Sequence, residues 1–229
     1  AVLVAASAFA QKGNGASKIR DTRTMRGNVT FVNAQTGVDV ADGLRGAIAA
    51  IDGELHWDIR VTNVTETVSV AKAPGFRKAI RATAAVFFVD EPSLPALSAY
   101  PDARVAFVNV APLAHGNPSA RQLARRIRTE SLRAFAFAFG AGFSQFNSIL
   151  MSPADSLAEI DVVPSTAFYP YDTIVVLRTV AETLGMAPYV MKYYEKACQE
   201  GWAPAPTNDV QKAIWDKVHA MPAEPLKIK

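Results

Sequence analysis

One cysteine, Cys198, and three histidines, His56, His115 and His219, are the only thiol and imidazole groups in a chain of 229 residues. A lone cysteine closes no internal disulfide and builds no structural zinc site, so packing must supply the stability. The histidines stand 59 and 104 residues apart, which fits no metal-ligand spacing. Long hydrophobic runs are also missing: beyond the leader no stretch reaches the roughly 18 apolar residues that read as a membrane-spanning helix. No internal repeat is visible. Charge of one sign is scarce outside the leader, because Lys12, Lys18, Arg20, Arg23 and Arg26 face only Asp21 within residues 1–27, while the whole chain carries a net +3. The remainder is close to neutral and has no basic stripe interleaved with aromatics, so no direct nucleic-acid role is expected.

What is present is an ordinary globular composition, half apolar and one fifth charged. That suffices for one domain plus extensions. The first ten residues, AVLVAASAFA, have the form of a signal-peptide apolar core closing on a small-x-small site, with Gln11 next. The chain does not start with Met, and a basic, acid-poor leader is what organelle import leaves behind. A mitochondrial location is therefore the first expectation, and a secreted or periplasmic one the alternative. Two sequons, at Asn28 and Asn63, keep the alternative open.

Periodicity gives an alternation of strands and helices in the first half. Residues 27–33 read as a strand and 41–52 as a helix with Leu44, Ile48 and Ile51 on one face. Strands follow at 56–62 and 67–71, then a short helix at 75–82. AAVFFV (84–89) is the continuous apolar run of a buried strand, and 104–110 reads as another. A long helix is expected from Asn117 as N-cap, with Pro118 at its first position, to Phe139, where Gly140 and Gly142 end it. Residues 143–170 read as a long ordered loop with a helical piece at 154–160. Helices at 172–199, interrupted at Pro188, and 207–220, capped by Thr207 or Asn208, complete the chain. The last residues, MPAEPLKIK, read as an extended tail. The fold class is α/β (α+β): a mixed sheet of about 4–5 strands with packed helices and a helical C-terminal part.

Residues 126–172 carry more specific information. With Gly140 fixed as the turn glycine, this stretch resembles the archaemetzincins, metzincin-type zinc peptidases. Their signature is H-E-x-x-H-x-x-G-x-x-H, then Cys, four residues, Cys, one residue, Met, seventeen residues and C-x-x-C. The register places the family's methionine on Met151 without a gap, and Phe168 stands before the last cysteine pair. Ser156-Leu157-Ala158-Glu159-Ile160-Asp161 resembles the family's S-L-x-E-[IV]-D segment. Arg126 and Glu130 resemble an upstream Arg and Glu, and 84–94 and 103–113 resemble the two strands before the helix. The resemblance covers about 84–172. It does not extend to the leader or the tail, and the chain divides into a basic extension at 1–27, a degenerate metzincin-like domain at 28–200, and a C-terminal helix and extended tail at 201–229.

In that register the three catalytic zinc ligands fall on Arg133, Phe137 and Phe143, and the general base on Ala134. Arginine has no lone pair to give, phenylalanine has no donor atom, and alanine accepts no proton. The four cysteines of a second zinc fall on Ser144, Ile149, Tyr169 and Asp172. No catalytic residue, no metal and no cofactor is expected. Phe135, Phe137, Phe139 and Phe143 are expected to fill the former cleft, Met151 to be packing, and Arg133 to face solvent or pair with Glu130, three residues earlier on the helix.

Other arrangements carry less. Ser144 or Ser148 with His115 lacks a G-x-S-x-G elbow. Cys198 has no C-x-x-C partner and reads as a buried thiol. Gly13-x-Gly15 precedes no strand-to-helix turn. Asp90-Glu91 reads as a solvated loop, with a cation site as the alternative, and Arg121, Arg125, Arg126 and Arg128 as a helix surface, with binding of acidic partners as the alternative. Two functional expectations follow. One is a catalytically inactive, zinc-free metallopeptidase-like pseudoenzyme serving as a structural subunit of a mitochondrial assembly, respiratory or ribosomal, whose terminal extensions reach other protein subunits. The other is an exported binding domain or an enzyme that re-uses the cleft, and Arg133, Phe137 and Phe143 converging on a hollow would favour it.

Overall fold

The computed structural model describes residues 4–5, 17–34, 36–144 and 149–220. Two compact units emerge, one of residues 1–7 and 25–188, the other of residues 8–24 and 189–229. The segment after Pro188 pairs with the N-terminal one in the second unit. Most of the leader (1–10) and all of the tail (221–229) lie outside the described residues.

The strands begin with β1 (Val4–Ala5) and β2 (Lys18–Asp21), of which β2 belongs to the second unit. In the first unit β3 (Val29–Ala34), α1 (Ala41–Leu55), β4 (Ile59–Val64), α2 (Ala73–Ala79), β5 (Ala84–Val89), β6 (Leu97–Tyr100), β7 (Val105–Asn109) and α3 (Val110–Leu113) follow in order. The sheet order is β1-β4-β3-β5-β7-β6. The four central strands run parallel, and β1 and β6 close the edges antiparallel. The sheet is thus mixed, with five strands of four to six residues and the two-residue β1.

Burial on both faces explains the unbroken apolar run of β5. Val86 and Phe88 face one core, with Phe31 of β3 and Val108 of β7, while Phe87 and Val89 face the other, with Phe107 and the partly buried Phe76. The first core is roofed by α1 and by α4 (Ala120–Ala138), the long helix on which the candidate site is built. Their close approach requires a bare backbone: a Cβ on Gly43 would lie 2.5 Å from Cγ2 of Ile127 and 2.9 Å from the Ala124 carbonyl.

Three local expectations are corrected. Ser119, not Asn117, caps α4: its hydroxyl accepts from the Gln122 amide at 3.2 Å, whereas Asn117 turns left-handed at φ 52°. No strand forms at 67–71, because the Ser69 carbonyl instead accepts from the amides of Lys72 and Ala73 and leads into α2. Residues 172–199 are not one interrupted helix. After α5 (Leu157–Asp161), α6 (Tyr171–Thr183) ends before Gly185 (φ 68°), and β8 (Val190–Tyr193) and α7 (Tyr194–Gln199) follow.

In the second unit β8 pairs antiparallel with β2, and α8 (Asp209–His219) is capped by Asn208, which accepts from the Gln211 amide at 2.9 Å. Asp21 accepts a two-pronged ion pair from Arg23 and a third contact from Lys192 at 3.0 Å. Glu200 joins the same basic side chains, accepts from the Trp202 indole at 2.7 Å, and has its pKa lowered to about 2 by those hydrogen bonds. Arg23 lies 4.1 Å over the Trp202 ring. Cys198 is buried, and burial pushes its thiol pKa up, away from thiolate chemistry.

Candidate functional site

Helix α4 is an unusual helix for its charge: Arg126, Arg128, Glu130 and Arg133 are all buried on it. Buried charges require partners. Arg126 and Arg128 are therefore not a helix surface. Nε and Nη2 of Arg126 grip the two carboxylate oxygens of Asp161 at 2.8 and 2.7 Å, and its Nη1 donates to the Leu113 carbonyl at 2.8 Å. That fork holds the Asp161 carboxyl below the usual carboxylate range. Ser156 and Glu159 form a capping box on α5, which presents Asp161. The Ser-Leu-x-Glu-Ile-Asp pattern thus consists of a helix start and the acid that fastens it to α4.

Arg133 sits about two turns nearer the C-terminus than Arg126 and is 3% exposed. It does not face solvent. Its Nη1 pairs with Glu130 at 2.8 Å, Nε donates to the Leu150 carbonyl at 2.6 Å, and Nη2 to the Ser152 carbonyl at 2.9 Å. Burial pushes the Glu130 carboxyl up and the adjacent guanidinium opposes that shift. One permanent cation therefore ties α4 to the chain on either side of Met151, itself fully buried.

The two phenylalanines of the same triplet meet each other. Phe137 and Phe143 pack edge to face with centroids 5.2 Å apart, and Phe143 is 52% exposed. They do not fill the cleft. Arg133, Phe137 and Phe143 converge with Glu130, Asp155 and Leu97 of β6 on a hollow of about 420 Å³. The aromatic filling lies deeper, where Phe135 and Phe139 pack around Trp57 at 5.8 and 5.4 Å, and Tyr169 stacks on Phe135 at 6.1 Å.

The four positions of the second zinc have dispersed in part. The Ser144 hydroxyl donates to Asp172 at 2.8 Å, so two of them still touch. Tyr169 turns inward and donates to the Leu132 carbonyl at 2.7 Å, and Ile149 is half-exposed. The Ser144 amide donates to the Met151 carbonyl at 3.0 Å, which links the two regions. Neither set fits zinc: the first offers a guanidinium and two phenyl rings, the second one carboxylate among a hydroxyl, a phenol and an alkyl chain. Among the described residues no three His, Cys, Asp or Glu are grouped as a metal site, and no helix is long and apolar enough to cross a membrane.

Of the remaining candidates, His115 accepts from Arg126 through its backbone carbonyl at 3.2 Å and donates its amide to the Pro112 carbonyl at 3.2 Å, and Ser148 lies outside the described residues. Glu91 is occupied by the amide and hydroxyl of Ser93 at 3.2 and 2.8 Å. Edge strand β6, which walls the hollow, was not foreseen: its four residues lie between Pro95 and Pro101 and lack a usable alternation.

No family model matches the chain, and no curated protein sequence matches it significantly. Solved structures do. The archaemetzincin of Methanopyrus kandleri superposes with a TM-score of 0.54 at 16% identity, over 70% of this chain and 98% of that one. A zinc-dependent peptidase of Methanocorpusculum labreanum (strain Z) gives 0.53 at 16% identity, over 66% of this chain and all of that one. The parallel sheet with antiparallel edges, the long helix α4 and the turn at Met151 therefore compose an archaemetzincin-like fold.

Proposed function

We propose that this protein is a zinc-free pseudoenzyme of metzincin architecture, serving as a structural subunit of a larger assembly rather than cutting peptides. One observation carries the reading. At the position of the first zinc ligand, Arg133 is locked by Glu130 and by the carbonyls of Leu150 and Ser152. A fixed positive charge there repels a divalent cation and cannot activate water, which needs a Lewis acid or a base. The guanidinium supplies instead a cross-link between the helix and the chain on either side of Met151. The basic leader, with five cations to one acid, supports a mitochondrial location and contacts made through the terminal extensions.

The test is the native particle. The tagged chain, isolated from its source under mild conditions, should elute in a particle far larger than its 24.6 kDa, with constant partners, and the purified chain should cleave casein no faster than buffer. A monomer with chelator-sensitive hydrolysis would contradict the proposal.

The hollow bounded by Arg133, Phe137 and Phe143 favours a second reading, a cleft re-used for binding. Its apolar rings and one engaged cation suit an apolar side chain with a carboxyl or carbonyl end. Substituting Phe143 by Ser would then abolish binding of a partner while leaving the fold intact.

A further inference from the structure

At the other end of α4 from Arg133, Arg121, Arg125 and Arg128 stand at i, i+4 and i+7, on one face of the helix. Together with Ser119, Ser165 and Asp42 they line a cavity of about 460 Å³. Arg128 is only 7% exposed. Its Nη2 donates to the Ala167 carbonyl at 3.0 Å, but its Nη1 is buried with no acceptor, and so is Nε of Arg125. The stem of Arg128 is wedged against α1, since its Cδ lies 3.1 Å from where a Cβ on Gly46 would stand.

A buried guanidinium N–H without an acceptor is costly, and both unpaired groups belong to residues that line the cavity. The nearby carboxylates do not answer the need. Asp161 is taken by Arg126, leaving Arg125 at 3.7 Å, and Asp42 is paired with Arg45 at 2.8 Å. Three guanidiniums thus border the hollow against one carboxylate that is already paired. The first turn of a 19-residue helix adds the positive end of its dipole, and the hydroxyls of Ser119 and Ser165 can donate. Guanidinium forks match tetrahedral oxyanions, and the volume falls within the range of small-molecule sites while exceeding what a bare phosphate fills.

We infer that this cavity binds the phosphoryl group of a small phosphate ester: Arg128 and Arg125 grip the oxygens from below, Arg121 closes the mouth, and the organic part occupies the remaining space. The site is separate from the Arg133 cross-link and stands whether or not the chain is a pseudoenzyme.

Calorimetric titration of the full chain with pyrophosphate and with AMP tests it. One saturable site is expected for each probe. R125Q should weaken both about tenfold or more, R121Q several-fold, and R128K, which keeps the charge but loses the fork, about as much as R125Q. Because R128K could disturb packing against Gly46, R125Q and R121Q decide the matter, with thermal unfolding checked alongside. K212Q, on an exposed part of α8, should change nothing. Absence of saturable binding, equal affinity in R125Q and the parent, or equal loss in K212Q would overturn the inference. So would a single-stranded RNA displacing AMP at the same arginines with tighter binding, which would make this a nucleic-acid surface.

Discussion

Replacing Arg133 by Met keeps an unbranched stem as far as the position of Nε and removes the rest of the guanidinium with its charge and donors, so it breaks the cross-link at the cost of a small loss of volume. Glu130, 2% exposed, then loses its Arg133 partner, and the carbonyls of Leu150 and Ser152 lose the donors that Arg133 supplies. The stranded carboxylate can escape by taking up a proton, which from an ordinary pKa of 4.5 costs at most about 3.4 kcal/mol at pH 7. Each orphaned carbonyl adds roughly 1–3 kcal/mol, and the new thioether chain returns roughly 2 kcal/mol of transfer energy. The net loss expected is roughly 3–7 kcal/mol, whose lower part is the range typical of breaking a buried ion pair. Urea unfolding at a series of pH values reads it out. A carboxyl whose folded pKa lies above its unfolded one favours the folded state more as the solution becomes acid. The deficit of R133M should therefore shrink between pH 7 and pH 5, and the double variant E130Q/R133M should recover a large part of it. An R133M protein within about 1 kcal/mol of the parent, or a deficit independent of pH, would refute the cross-link.

Other consequences are simpler to state. Gly43→Ala should destabilise by roughly 1–3 kcal/mol through collision with Ile127 and the Ala124 carbonyl, whereas Gly53→Ala, in the same helix with open space around it, should stabilise by roughly 0.5–1 kcal/mol; calorimetric melting distinguishes the signs. Tyr169→Phe should cost about 1 kcal/mol in urea unfolding by removing the hydrogen bond to Leu132, and should leave zinc content unchanged, as befits a core residue. In the second unit Asp21 and Glu200 are both held below their ordinary pKa, so the stability they confer is present above about pH 4.5 and is lost as the pH falls toward about 2. Tryptophan fluorescence of Trp202 during acid titration should report that transition, and D21N should blunt it.

The parts of the fold legible in the sequence were those whose signal is local. β5 announced itself by six apolar residues in a row, because both of its faces are buried. The pattern 156–161 could be aligned because its residues have local work: Ser156 and Glu159 begin a helix, and Asp161 projects from its end. Strands β6 and β8 were illegible for the converse reason. Each has four residues beside prolines or a glycine turn, and β8 forms only because β2, some 170 residues earlier, offers an edge. The same distinction applies to the site. Arg133, Phe137 and Phe143, which the register groups, line one hollow in the structure. That the hollow stays open, and that Arg126 and Arg128 lie inside, depended on partners at Asp161 and Ala167 that no helical periodicity encodes.

Zinc retention measures most directly whether a guanidinium has taken the metal's place. The purified chain, stripped with chelator, dialysed against zinc and passed through gel filtration, should carry only substoichiometric metal by elemental analysis, and its melting temperature should not move. One tightly held zinc per chain, lost on chelation together with stability, would contradict it.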